Sequence, residues 1–515
     1  MIIKKFFHKQ DIIICISLFC LFLSITSVNL GYQGPQSDEN GYNAVGILFI
    51  RLLTQGDILN PCWNGQDVCE YLCYNECWGN ANLDDYWASK AGGSLKELMV
   101  GMGYFLSGEK GDDYRHWSYR EFYPSVSELA AGRFFSTILG SLTIVLSFII
   151  GKILFNKFVG ITFALSLLIN RVWLVHSRAT LTEVYSNFFI MLTIFLLIYS
   201  MKDSKIKIKY LILCSLTFAI SLNTKITNLE FLPFLILIIF LRQNFHEHFN
   251  YKKFLRRKEF KTSLFFIAIF IAVLIPLILV TDPFWYPNPI HQLLFWYNSI
   301  NQFSHLDIPN LDNKPIQHFI GTFSGVIFPI VDMYYEFSNV EAPKTGINNE
   351  RADTVVSNYS DIAISILFLL GFLIIIRKIL KRKFLNSELL ALSWFTILFI
   401  LIALSLQTYN SSRYYLPLLF PIMLIASYGI EKYCRVLTTN EKILVLASYF
   451  ITQIFMTITF IKIIYFSNKQ ILSEPLPLSL QEGLSDIIVL LSSFFFVVIM
   501  ILFSFKNFKH LKSNT

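Results

Sequence analysis

Long apolar segments recur along almost the whole chain and constrain its fold more than any other feature. A membrane-spanning helix needs about 20 consecutive apolar residues. Only 15% of the residues are charged, whereas soluble proteins carry roughly 25%. The sequence therefore predicts an all-α polytopic membrane protein with about 12 transmembrane helices, at 11–30, 132–155, 158–175, 183–201, 210–223, 228–241, 262–281, 360–376, 389–406, 414–430, 443–465 and 486–505. A further apolar stretch, 319–335, is expected to be re-entrant or interfacial.

The charges of the loops predict how these spans are oriented. If both termini are cytoplasmic, the inner loops hold most of the 43 Lys and Arg residues and few of the 35 acids. This bias is the one that cytoplasmic loops show. We therefore expect a multi-pass protein of the plasma membrane, or of the endoplasmic reticulum in a eukaryote. The run 11–30 is expected to be an uncleaved anchor, because it exceeds the 7–15 residues usual for the apolar part of a signal peptide.

Only two segments outside the membrane are long, namely 31–131 and 282–359. Because no internal repeat is visible, we expect a single membrane domain over 1–515 with these two outer loops. Within the first loop, the patterns at 42–55 and 95–108 predict amphipathic helices on the membrane surface. Such helices can hold a lipid-linked substrate at the interface, or can simply cover the loop against lipid. The basic clusters 252–261 and 377–383 indicate membrane anchoring, and no nucleic-acid partner is expected.

The first outer loop also contains half of the chain's eight cysteines. An even number of cysteines outside the cytoplasm is typical of disulfides, and the candidates are Cys62, Cys69, Cys73 and Cys77. Three pairings are possible, and the sequence does not choose among them. A zinc site built from all four is the alternative, although the C-x2-C spacing common in structural zinc sites is missing.

Ionisable side chains at the outer ends of the spans point to a single outward-facing site. Such residues are costly near the bilayer and are usually functional. Under the topology chosen from loop charges alone, all of them lie on one face of the membrane: Asp38, Glu39, Arg133, His176, Arg178, Glu183, Lys225, Asp282, His291 and Arg413.

These residues supply the two kinds of group that transfer of a sugar from a phosphate carrier requires. A carboxylate must accept the proton of the attacking hydroxyl, and cations must balance the charge of the departing phosphate. Asp38 is the first candidate for the base and Glu39 the second, whereas a plain helix cap is the alternative. The candidate phosphate ligands are Arg178, Lys225, Arg413 and His291, which could instead be interfacial charges reaching for water.

Two further features have open interpretations. Glu183 could orient Arg178 or Lys225, or could cap the helix that begins there. The acidic pairs 84–85 and 112–113 lie in the first outer loop, where such pairs are usually solvated. A divalent metal is possible at oxygen ligands of this kind, but no cofactor is specifically indicated.

Five segments, in order, resemble the C-type glycosyltransferase superfamily. The resemblance begins with the run from Asp38-Glu39 through Tyr42 to Ala44. It continues in 127–155 with Arg133 leading the span, in 176–198 with Ser177, Arg178 and Glu183, in 220–240 with Thr224 and Lys225, and in 413–426 with Arg413. The superfamily includes protein O-mannosyltransferases and lipid A aminoarabinose transferases, which take sugars from polyprenyl-phosphate carriers.

This resemblance implies a helical bundle with surface helices in the first outer loop. It also implies a polyprenyl-phosphate sugar as donor, transfer with inversion, and Asp38 as base. The chain departs from the family in two places. The family's histidine- or lysine-proline-proline element is missing, and KAGGSLKE (90–97) stands in its position, while the cysteine-rich insert is unusual. The acceptor therefore stays open between a protein, a glycan and a lipid.

Two functions of other classes compete with the enzyme. Twelve spans with both termini inside would suit a secondary transporter, but transporters place ionisable residues near the bilayer midplane and often show internal repeats. A non-enzymatic scaffold subunit could use the first outer loop as a disulfide-braced binding module. Substrate flux in proteoliposomes would favour the transporter, and retained function after neutralising Asp38, Arg178 and Arg413 would favour the scaffold.

Overall fold

The computed structural model describes residues 8–28, 30–31, 39–56, 95–109, 124–201, 207–241, 257–281, 362–405, 416–469, 498–500 and 502–503. Every regular element in these ranges is helical. The predicted all-α class is therefore confirmed.

The helices follow the apolar runs closely. In the first half of the chain they are α1 (Lys9–Ser27), α2 (Glu39–Thr54), α3 (Leu95–Ser107), α4 (Val126–Leu154), α5 (Lys157–Leu168), α6 (Arg171–Ser177), α7 (Thr182–Met201) and α8 (Ile208–Leu222). A 3-10 helix, Ile226–Phe231, leads into α9 (Leu232–Phe240), which is followed by α10 (Arg257–Thr281). The second half contains α11 (Ile362–Leu380), α12 (Asn386–Ser405), α13 (Leu416–Cys434) and α14 (Thr439–Lys469).

Six helices in the described part of the chain are long and apolar enough to cross a membrane, namely α1, α4, α7, α10, α11 and α12. Shorter apolar helices cover 157–168, 208–222 and 226–240. The expected span 158–175 is instead two helices, because Asn170 accepts a hydrogen bond from the backbone N–H of Trp173 at 3.0 Å and begins α6 there. The segment 319–335 and most of 486–505 lie outside the described residues, so the count of 12 stays a prediction.

Helix α1 packs along α4 and is attached to it at both ends. At the start of α1, buried Asp11 lies 2.7 Å from Lys152 Nζ near the end of α4, and 3.7 Å from Lys157 Nζ in α5. At the other end of α1, backbone carbonyls accept hydrogen bonds from Arg133 and Arg178. The antiparallel pair therefore has one end occupied by Asp11 and its lysines, and the opposite end occupied by two arginines.

The two amphipathic helices predicted in the first outer loop are present as α2 and α3. They pack against each other through Gly46 and Gly101, where a Cβ on Gly101 would lie only 2.0 Å from the carbonyl oxygen of Gly46. Helix α3 also packs on α4. The apolar face of α2 is consequently buried in protein, with Val45 and Phe49 fully enclosed. The location of α2 and α3 on the membrane surface stays a prediction.

The helices of the second half pack against one another and also contact helices of the first half. Glu388, buried at the start of α12, accepts hydrogen bonds from Lys378 of α11 and from the Tyr428 hydroxyl of α13. Trp173 of α6 meets Phe420 of α13 edge to face, with 5.3 Å between ring centroids. The α6 turn, which precedes Arg178, is thus supported from both halves of the chain.

Candidate functional site

Two arginines that the sequence analysis selected hold the carboxyl end of α1. Arg133, in the second turn of α4, is fully buried, and its Nη1 donates to the carbonyl oxygen of Leu30 at 2.7 Å. Arg178 directly follows α6, and its Nη1 donates to the carbonyls of Val28 at 2.8 Å and Thr26 at 3.1 Å. A helix leaves its last carbonyls without partners inside the helix. Arg178 supplies such a partner to Thr26, whereas Arg133 holds the carbonyl of Leu30, three residues beyond the end of α1.

The two arginines lie close enough to repel each other. Burial, and to a smaller extent the positive charge of Arg133, lower the pKa of Arg178 to about 10. A pKa of about 10 still leaves Arg178 charged at neutral pH. This end of α1 therefore concentrates positive charge at low exposure, which is an arrangement that an anion would stabilise.

Glu183 and Lys225 form an ion pair between two helices. Glu183 lies in the first turn of α7, and Lys225 lies just after α8. The distance from Lys225 Nζ to Glu183 Oε1 is 3.0 Å, and the side chains are only 16% and 5% exposed. Of the three roles considered for Glu183, the structure shows pairing with Lys225.

Hydrogen bonds of the buried Asn228 side chain hold the helices that carry this ion pair. Asn228 donates from Nδ2 to Ser186 Oγ at 2.7 Å and to the carbonyl oxygen of Ser221 at 3.0 Å. These bonds join the 3-10 helix to α7 and α8. The backbone on both sides of the Glu183–Lys225 pair is held by buried hydrogen bonds.

Lys96 is a buried cation that the sequence analysis missed. Its Nζ lies 3.2 Å from Thr182 Oγ1, 3.0 Å from Glu97 Oε1 and 2.9 Å from the centre of the Tyr42 ring. Lys96 is 3% exposed, and it joins α2, α3 and the start of α7. Nothing in the local sequence predicts its burial, because a Lys-Glu pair at the start of an amphipathic helix, as predicted for 95–108, is usually exposed.

A hydrogen bond between α4 and α7 brings the two arginines and the Glu183–Lys225 pair to the same end of the helical bundle. Ser136 of α4 and Tyr185 of α7 are both buried, and their hydroxyl oxygens are 3.1 Å apart. Ser136 lies one turn after Arg133, and Tyr185 lies two residues after Glu183. The described site therefore comprises Arg133, Arg178, Lys96, Glu183 and Lys225 around the starts of α4 and α7.

Several predicted site residues lie outside the described residues. They are Asp38, His291, Arg413 and the four loop cysteines Cys62, Cys69, Cys73 and Cys77; Glu39 is the first residue of α2. The cysteines within the described ranges, Cys15, Cys20, Cys214 and Cys434, are free thiols. Over the same ranges, no group of three or more His, Cys, Asp or Glu side chains could hold a metal ion.

A protein-family model matches the segment of the chain that contains this site. The model of the dolichyl-phosphate-mannose-protein mannosyltransferase family matches residues 80–288, the segment that contains all five residues of the described site. This match supports the similarity of the chain to the C-type glycosyltransferase superfamily. The resemblance found in the sequence is thus confirmed, and a membrane glycosyltransferase is favoured over a transporter or a scaffold. No curated protein sequence matches the chain.

Three solved structures resemble this chain at low sequence identity. ArnT from Cupriavidus metallidurans bound to undecaprenyl phosphate is 12% identical, with a TM-score of 0.49 over 95% of this chain and 75% of that chain. Its apo state is 11% identical, with a TM-score of 0.48 over 94% and 76%. The apo oligosaccharyltransferase of Archaeoglobus fulgidus is 12% identical, with a TM-score of 0.47 over 94% of this chain and 55% of that chain.

Proposed function

We propose that this glycosyltransferase moves a sugar from a polyprenyl-phosphate donor to a hydroxyl group of an acceptor at the outer face of the membrane. The observation that carries the proposal is the family match over 80–288, which contains the cluster of buried charges around the starts of α4 and α7. The partners are the lipid-linked donor, the surrounding membrane lipids and an acceptor that is a protein, a glycan or a lipid.

The departing group in such a transfer is a lipid phosphate, whose negative charge grows as the bond to the sugar breaks. Cations fixed in a poorly hydrated site stabilise this charge strongly, because they need no reorganisation during the reaction. Arg178 and Arg133 supply two such cations, and the pKa of Arg178 is lowered first by burial and then by the Arg133 charge, which indicates the cost of keeping Arg178 charged there. Bound phosphate would offset that cost, and Arg413 and His291 are further candidate ligands.

Lys96 and Lys225 add two ammonium groups to the site. Lys225 is held by Glu183, and Lys96 is held by Glu97 and Thr182. A lysine acts on phosphate as a point charge, whereas arginine can bind two oxygens at once. We assign the lysines to charge balance at the phosphate and the arginines to its orientation.

The proton of the acceptor hydroxyl needs a base, and Asp38 is our candidate, with Glu39 as the second. The acceptor oxygen attacks the anomeric carbon while the bond from that carbon to the phosphate oxygen breaks, and the phosphate leaves with the electron pair. Asp38 takes the hydroxyl proton. A single displacement of this kind places the new bond on the opposite face of the sugar, so the transfer inverts the anomeric configuration.

The experiment is a transfer assay on the purified protein in detergent, with a panel of radiolabelled polyprenyl-phosphate sugars and candidate acceptors. We expect acceptor-dependent loss of label from the lipid, and a decrease in rate of about 10²- to 10⁴-fold in Asp38→Asn. Asp84→Asn, in the same outer loop, is the matched control and should retain activity. Undiminished transfer in Asp38→Asn overturns the base assignment, and no turnover by folded wild-type protein with any donor overturns the function.

A further inference from the structure

Asn43 carries a buried amide that no group in the described part of the chain satisfies. It lies in the first part of α2, one turn after Glu39, and its side chain is fully enclosed. Among the residues that the structure describes, neither Oδ1 nor Nδ2 has a hydrogen-bond partner. Native proteins pair nearly all of their buried polar atoms, so an amide with both ends unsatisfied calls for a functional or structural explanation.

The surroundings of Asn43 place it against the charged site. A Cβ added to Gly132 would lie 2.2 Å from Asn43 Oδ1 and 3.2 Å from Cε2 of the Tyr104 ring. The carboxamide is therefore pressed against the backbone of α4 immediately before Arg133. The ring of Tyr42, the residue before Asn43, lies under the ammonium group of Lys96.

A contribution to the stability of the empty protein does not explain this amide. Hydrogen bonds stabilise a fold only when they form, and a buried donor or acceptor that stays unpaired is destabilising. Asn228 provides the contrast within the same protein, because its amide is equally buried and bonds to Ser186 and Ser221. An apolar side chain at position 43 would stabilise α2 better than the amide does.

We propose that the Asn43 carboxamide is a positioning group for a substrate hydroxyl. A hydroxyl both donates and accepts, so a single one can accept from Nδ2 and donate to Oδ1. A sugar ring offers several hydroxyls, and the acceptor offers one. The inference rests on the proposed function and adds to it a residue that recognises the uncharged part of the substrate, one helical turn from Glu39 and beside Arg133.

The test compares Asn43→Leu and Asn43→Ala with wild type, and uses Asn228→Leu as the matched control. Leucine keeps the branch at Cγ without polar atoms, and alanine removes the amide without adding volume. Thermal unfolding in detergent is measured alone, with undecaprenyl phosphate, and with the polyprenyl-phosphate sugar that wild type uses. Donor and acceptor KM values are measured in the transfer assay.

We expect the Asn43 variants to unfold at or above the wild-type temperature and to keep their stabilisation by undecaprenyl phosphate. Loss of the additional stabilisation by the sugar-bearing lipid, with donor KM raised about tenfold or more, would assign the amide to the donor sugar. Unchanged donor binding with a similar rise in acceptor KM would assign it to the acceptor hydroxyl. The control Asn228→Leu should lower the unfolding temperature, because it breaks satisfied bonds.

Folded Asn43 variants with unchanged donor binding and unchanged KM values would overturn the inference. A marked loss of stability in both variants would also overturn it, since it would show that the amide supports the fold. Failure of the proposed function is recognised separately, because wild-type protein would then show neither turnover nor stabilisation by either lipid.

Discussion

Lys225 Nζ lies 3.0 Å from Glu183 Oε1, and this contact joins the start of α7 to the turn that follows α8. The two residues are 42 positions apart in the chain. Both side chains are largely buried, so each charge depends on the other for compensation. The ion pair thereby connects the position of a candidate phosphate ligand to the packing of two helices.

Removing either partner of this pair should destabilise the protein. Glu183→Gln removes the carboxylate that lies 3.0 Å from Lys225 Nζ, and we expect the free energy of unfolding to fall by about 3 kcal/mol. The double variant Glu183→Gln/Lys225→Met should be more stable than the sum of the single changes predicts. Thermal unfolding in detergent provides the comparison, and strict additivity would show that the two charges do not interact.

The helices were predicted correctly from the sequence where a long apolar run alone determines them. The apolar runs at 11–30, 183–201 and 262–281 correspond to α1, α7 and α10. A run of this kind must be helical in a membrane, because only then are its backbone groups hydrogen-bonded internally. The pattern failed at 158–175, where the side chain of Asn170 caps a new helix inside a run that is apolar overall.

The site was predictable in its residue types but less so in its contacts. Arg133, Arg178, Glu183 and Lys225 were selected because charges at span ends are costly. Their partners depend on tertiary packing over long separations, and the contact between Lys96 and Thr182 spans 86 positions. Lys96 escaped attention since nothing local distinguishes it from an exposed lysine of an amphipathic helix.

Lys96 provides a second prediction, which separates a structural role from a role at the substrate. Lys96→Met leaves Glu97 buried without its ion pair, so stability and transfer activity should both fall. The double variant Lys96→Met/Glu97→Gln also removes the buried negative charge of Glu97. We expect it to recover stability but not activity, as measured by thermal unfolding and the transfer assay. Full recovery of activity would mean that Lys96 only neutralises Glu97.

The contact between Gly46 and Gly101 provides a third prediction. A methyl group on Gly101 would meet the backbone oxygen of Gly46 at 2.0 Å, and backbone cannot move aside as a flexible side chain can. Gly101→Ala should therefore separate α2 from α3 and destabilise the protein by about 1–3 kcal/mol. Met102→Ala, at the exposed neighbouring position, is the control and should have little effect. Equal unfolding temperatures for the two variants would contradict this packing.

The loop cysteines provide the last prediction, which also tests the topology. Cys62, Cys69, Cys73 and Cys77 are expected to face an oxidising compartment and to form two disulfides. Alkylation of the denatured, unreduced protein followed by mass mapping should therefore modify Cys15, Cys20, Cys214 and Cys434, which are free thiols, and spare the loop four. Alkylation of all eight cysteines would place the loop in a reducing compartment. The zinc alternative is tested in the folded protein, where modification of the loop cysteines only after chelation would support it, because metal-bound thiolates are protected until the ion is removed.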